Sequence, residues 1–335
     1  MPIPFLFLAA GIGTGLLGIG KGVKAGVDQK NANATNHAAE SIIEHAKESI
    51  NKSRKNCGEA LDGLGKRKIA VLDGSIRTFI SEFEKLSHVE LNESTGLNEL
   101  QKMVIDQKSF SDLKELQGMA TSLAGGVASG AMAGAITAFG AYGAAGALAT
   151  ASTGTAIASL SGAAATNATL AFFGGGSLAA GGLGVAGGTA VLGGLVAGPA
   201  LAVLGFVVGA KASKNLDAAR VNFAKAREFE EEMKTAAELC NGIRRRAAMF
   251  DRFLIRLRTV FDPMVYQMSE IIKKNGADYR TFSTEEKQCI ASAMALGGAI
   301  KAVLDTPILD EDGNLTTESG LIIENTQKKI ETIAI

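Results

Sequence analysis

The chain has 335 residues, with 34 basic side chains against 34 acidic ones, and 41 glycines but no tryptophan. Zero net charge excludes a field that would draw the whole protein onto nucleic acid. Three widely separated cysteines exclude a disulfide framework and fit a reducing compartment, with buried spectator thiols the expected role.

The charges are strongly segregated. All 68 lie outside one stretch of 95 residues, Leu116 to Ala210, bounded by Glu115 and Lys211. A globular domain carries roughly a quarter of its residues charged, so this gap organises the reading of everything around it. Five segments follow: 1–26, 27–115, 116–210, 211–276 and 277–335.

Residues 1–26 predict an apolar helix. Gly11 and Gly15, then Gly18, Gly22 and Gly26, stand four apart, a spacing that gives one helix face a smooth strip for close packing. No basic run precedes the apolar residues and no small-residue cleavage site stands before Lys21, so a retained helix is expected rather than a removed signal.

Residues 27–115 predict a first amphipathic arm. Ile42, Ile43, Ala46 and Ile50, then Ile69, Leu72, Ile76, Phe79, Ile80 and Phe83, recur at three- and four-residue steps. Gly58, Gly63 and Gly65 predict a kink or break within it.

Residues 116–210 predict helical hairpins suited to a membrane. At 1.5 Å per residue the stretch could cross a bilayer of roughly 30 Å about four times. Gly174, Gly175 and Gly176 form the central breaker and hairpin turn. Small residues again stand four apart at Gly126, Gly130 and Gly134, at Gly184 and Gly188, at Gly194 and Gly198, and at Gly205 and Gly209. Lysines flank every apolar piece, which places the junctions on one side of a membrane and requires an even number of spans, two or four. Gly and Ala supply little transfer energy, so such a stretch can also be stored in a soluble bundle.

Residues 211–276 predict a second arm packed antiparallel against the first, with Asp262-Pro263 stopping or restarting its helix. Arg244, Arg245 and Arg246 form the richest basic cluster. Two readings stand: contact with anionic lipid headgroups or an acidic partner, and pairing with Glu82, Glu84 and Glu90 of the first arm, which is favoured. In residues 277–335, Ser283 to Glu286 fits a capping box opening a helix through Val303. A hairpin turning at Asp312-Gly313 and a terminal helix from Leu321 follow.

No catalytic, cofactor or metal site emerges. Gly13-Thr-Gly15-Leu-Leu-Gly18 matches a dinucleotide fingerprint but lacks the strand and βαβ context. Asp310, Asp312 and Asn314 resemble a calcium loop, yet Leu315 and Leu321 occupy its glycine and glutamate positions. His37 and His45 lie two helical turns apart, too far for one metal.

Two amphipathic arms around a long uncharged hairpin resemble the architecture of α-helical pore-forming toxins of the cytolysin A type. The glycine-rich middle resembles the membrane-addressing region of apolipoprotein L proteins, and the run from Ser152 to Phe206 is similar to glycine-rich bacterial proteins. These resemblances imply a bacterial, membrane-directed protein and transfer no residue-level role. The expected fold is mainly α, an elongated antiparallel helical bundle with an apolar hairpin region and a small C-terminal β-hairpin. The expected function is insertion of glycine-rich hairpins into a lipid bilayer by a homo-oligomer that permeabilises or remodels it, without enzymatic activity, cofactor or nucleic acid. The alternative is a membrane-anchored scaffold or sensor whose arms bind a protein partner. The expected location is the bacterial inner membrane with cytoplasmic arms, or a soluble cytoplasmic form that inserts on a trigger.

Overall fold

A computed structural model describes residues 21–89, 107–127, 133–143, 216–310 and 314–333. The protein is mainly helical, and among the described residues there is no strand. The helices are α1 (Lys21–Val71), α2 (Arg77–Phe83), α3 (Gln107–Val127), α4 (Ala133–Tyr142), α5 (Leu216–Asn275), α6 (Thr284–Asp305) and α7 (Glu318–Ile333). A π-helical turn, Leu72–Ile76, joins α1 to α2, and a 3₁₀ turn, Tyr279–Thr281, lies between α5 and α6.

The two long helices follow from unbroken three-four patterns. On α1 the buried positions are Ala32, Asn36, Ala39, Ala46, Ile50, Arg54, Cys57, Leu61, Leu64, Lys68 and Val71. On α5 they run Ala219, Ala226, Phe229, Met233, Cys240, Ile243, Ala247, Phe250, Leu254, Leu257, Phe261, Val265, Met268 and Ile272. A stripe this long demands a partner along its whole length. The break that Gly58, Gly63 and Gly65 could have made does not occur, and α1 runs through all three. Each glycine costs the helix about 1 kcal/mol of propensity, and the continuous apolar stripe outweighs that. The irregularity falls instead at the π-helical turn.

Pro263 likewise neither stops nor restarts α5. It lies on the exposed face, where water can satisfy the carbonyl it leaves without a donor, while Phe261 and Val265 stay buried beside it.

The chain divides into two units. One comprises Met1–Ala46 with Gly205–Glu231. Its described core is mostly alanine, with Asn222 Nδ2 donating to Asn36 Oδ1 at 3.2 Å.

The other unit comprises Lys47–Leu204 with Glu232–Ile335. Within it, α1, α2 and α5 run parallel, which corrects the antiparallel pairing of arms. Arg67 bonds Asp251 at 2.8 Å, Arg258 Nε donates to Ser75 Oγ at 2.9 Å, and the Phe79 and Phe261 rings lie 5.5 Å apart. The contacts therefore advance in the same direction on both helices. The reason is that α3 and α4 supply the return. Phe110 meets Phe79 and Phe83, Thr121 donates to Asp73 at 2.6 Å, and Gly65 and Leu61 meet Ile136 and Gly140. The first part of the uncharged stretch thus runs back along α1, burying Leu116, Met119, Ala120, Ile136, Phe139 and Ala141.

Helix α6 opens on the expected capping box: Ser283 Oγ accepts from Glu286 N, and the Glu286 carboxylate accepts from Ser283 N. Residues 290–297 of α6 are buried on every face. It is the one described helix long and apolar enough to cross a membrane, a test that a core helix also passes. After α6 the chain reverses through an isolated antiparallel bridge, Leu309 to Leu315. Thr316 N donates to Ile308 O at 2.9 Å, and the turn at Asp312 and Gly313 lies outside the described residues.

Candidate functional site

Helix α4, the last described part of the uncharged stretch, is held to the charged helices where α1, α4, α5 and the end of α6 meet. Gly65 on α1 and Gly140 on α4 set the distance. A Cβ on Gly65 would run into the Ile136 carbonyl, and one on Gly140 into the Leu61 carbonyl. The two backbones are therefore in contact, which only glycine at both positions permits. Gly143 ends α4 with φ +66°, and a side chain there would meet the Asp305 and Leu304 carbonyls at 2.6 and 2.8 Å. Ile308 N then donates to Ala141 O at 2.7 Å.

Lys68 sits beneath this crossing with no exposed surface. Its Nζ donates to the Phe139 carbonyl at 3.3 Å and the Leu304 carbonyl at 3.4 Å, and lies 5.3 Å from the Phe139 ring centre and 6.0 Å from that of Phe250. Both carbonyls belong to last helical turns, where the helix dipole is negative, and the Phe139 carbonyl also accepts from Gly143 N at 3.2 Å. The lysine thus joins the C-terminal ends of α4 and α6. Burial pulls its ammonium down to about 7, with the Asp305 charge opposing the shift. Burial pushes the Asp305 carboxyl upward; Lys301, which binds its Oδ2, acts against this. Lys301 also faces Asp112 of α3 at 3.7 Å. Two lysines, one fully and one largely buried, and two part-exposed aspartates therefore lie near the point where α4 docks.

The glycines singled out by spacing lie mostly elsewhere. Gly22 falls within α1, Gly126 within α3 and Gly134 within α4. Gly11, Gly15, Gly18, Gly130, Gly174, Gly175, Gly176, Gly184, Gly188, Gly194, Gly198, Gly205 and Gly209 lie outside the described residues. Gly65 and Gly140 make the close approach that those strips were expected to make. Their signal was one glycine on each helix, without a four-residue repeat.

The arginine cluster on α5 does not pair as favoured. Glu82 bonds Lys85 and Glu84 bonds Lys114, while Glu90 lies outside the described residues. Arg246 Nη1 reaches Ser319 Oγ on α7 at 3.0 Å, whereas Arg244 and Arg245 are exposed. Among the described residues no group of three or more His, Cys, Asp or Glu could hold a metal ion.

No family model, curated protein or solved structure matches the chain.

Proposed function

We propose that the protein is a bacterial membrane-active helical protein. It stores a glycine-rich uncharged stretch against charged helices, then inserts it as hairpins into a lipid bilayer and oligomerises to permeabilise or remodel that membrane. The observation that carries this reading is the docking of α4. The opening of the uncharged stretch is held by backbone contact at Gly65 and Gly140 and by a buried lysine between two helix ends. The exposed Arg244 and Arg245 supply attraction to anionic headgroups. In the same reading the charged arms form an elongated helical bundle, and the reversal at Leu309 and Leu315 is a small β-hairpin.

A trigger follows from Lys68. Acidification from pH 10.5 toward about 7 places a charge at a fully buried site, with Asp305, Asp112 and Lys301 as its ionisable surroundings, and weakens the docked state. Purified full-length protein is tested by flotation on liposomes and by leakage of trapped dye, across pH and anionic lipid content. Both signals should rise as pH falls from 10.5 toward about 7 and level off below it. Absence of both under every condition would end the proposal. Flotation without leakage, with extraction only by detergent, would favour the anchored scaffold.

A further inference from the structure

Cys57 on α1 and Cys240 on α5 are 4 % and 5 % exposed. They occupy matching buried positions of the parallel helix pair, at the same offset along the chain as the bonded Ser75 and Arg258. Arg54, one turn before Cys57 on the same buried stripe, is 5 % exposed and its Nη2 has no hydrogen-bond partner. A buried guanidinium without a counter-charge is expensive. The Cys240 thiol lies in its field and is the group that can become an anion there.

The Cys57 thiol draws the Cys240 thiol down to about 7, with Arg54 helping and burial opposing. Cys240, together with burial, pushes Cys57 upward. Of the two, Cys240 therefore ionises first, and Cys57 keeps its proton. Cys289 has no such environment: it is half-buried and burial alone raises it.

We propose that Cys57 and Cys240 are a redox-active dithiol that closes to a disulfide tying α1 to α5 when the protein meets a hydroperoxide. The Cys240 thiolate attacks the distal peroxide oxygen, the O–O bond breaks, and the leaving alkoxide or hydroxide takes a proton. Cys240 is left as a sulfenic acid. Cys57 then attacks that sulfur, the S–S bond forms as the S–O bond breaks, and the Cys57 proton leaves with the hydroxyl as water. Two thiols are oxidised, one hydroperoxide is reduced to an alcohol or water, and one further water is released.

Full-length protein carrying Cys289→Ser is exposed to hydrogen peroxide, blocked with iodoacetamide under denaturing conditions, digested and weighed by mass spectrometry. Both thiols should disappear together, yielding a Cys57–Cys240 linked peptide from monomeric protein, reversible by dithiothreitol. Adding Cys57→Ser should stop the reaction at a sulfenic acid on Cys240 that dimedone traps. Arg54→Met should slow oxidation several-fold at neutral pH and much less at alkaline pH, a pH dependence that a purely structural arginine would not produce. Should that variant not fold, the alkylation rate of Cys240 in the Cys289→Ser protein replaces it, with a midpoint expected near 7. Over-oxidation of Cys240 with Cys57 still free, disulfides only between molecules, or two thiols inert in the native protein would each overturn the proposal. None of these readouts depends on membrane binding.

Discussion

Lys68 is the most consequential single residue in the larger unit. A fully buried ammonium is disfavoured, and two carbonyls, two aromatic rings and a neighbouring carboxylate offset part of that cost. Because the folded value, about 7, lies below the unfolded 10.5, the unfolded chain binds more protons between those limits. The penalty is complete below pH 7 and is relieved as pH rises toward 10.5. Urea titrations of wild type and Lys68→Met should therefore diverge with pH, wild type gaining on the order of 5 kcal/mol at most relative to the variant across that window. A difference that stays flat from pH 7 to 10 would show that the lysine is not desolvated in the native state.

Gly140 makes a sharper steric claim. Gly140→Val places a side chain against the Leu61 backbone, which cannot move as a flexible side chain can, and should cost at least 1–3 kcal/mol. Gly58, on the same helix as Gly65, has open space for 4 Å around the position a Cβ would take, so Gly58→Ala should instead stabilise by about 0.5–1 kcal/mol. Thermal or urea unfolding of the pair separates close approach from simple helix propensity. Lys68 was legible in principle, since Leu61, Leu64, Lys68 and Leu72 keep the three-four rhythm of the buried stripe. The charged run Lys66-Arg67-Lys68 hid it by reading as a solvated face.

At the level of elements, local rules held where the chain end itself decides. The Ser283–Glu286 capping box satisfies two amide donors at the start of α6. Ser283→Ala should cost about 1 kcal/mol, readable as a lowered unfolding midpoint, and loss of no stability would mean that the α6 start is set by its packing. Local rules failed in the interiors of α1 and α5, because three glycines and one proline were outweighed by apolar stripes on helices 51 and 60 residues long. Helix propensity acts residue by residue, whereas burial of a face acts along the whole helix. The arginine cluster shows the same limit. Which acid an arginine meets depends on helix rotation and register, and Lys85 and Lys114 reached Glu82 and Glu84 instead.

For the molecule as a whole, the decisive fact is direction. The arms advance together because α3 and α4, drawn partly from the uncharged stretch, make the return between them. Spin labels on exposed positions test this directly, in a background with the three native cysteines replaced by serine. Lys55→Cys with Glu238→Cys and Thr78→Cys with Thr259→Cys should both give short distances. An antiparallel pair that kept the first distance short would separate the second by roughly 65 Å, from a rise of about 1.5 Å per residue.

The sequence by itself determined that this protein is helical, where its charges lie, and that two long stripes and one uncharged stretch must each be covered. Periodicity and composition are properties of the chain and survive any arrangement of it. Only the tertiary structure decided that the arms run parallel, that α4 returns against α1 through Gly65 and Gly140, and that Lys68, Arg54 and the two thiols share the buried stripe. Those outcomes depend on which helix covers which face and at what register. Contacts between residues distant in sequence set both, and no local pattern encodes them.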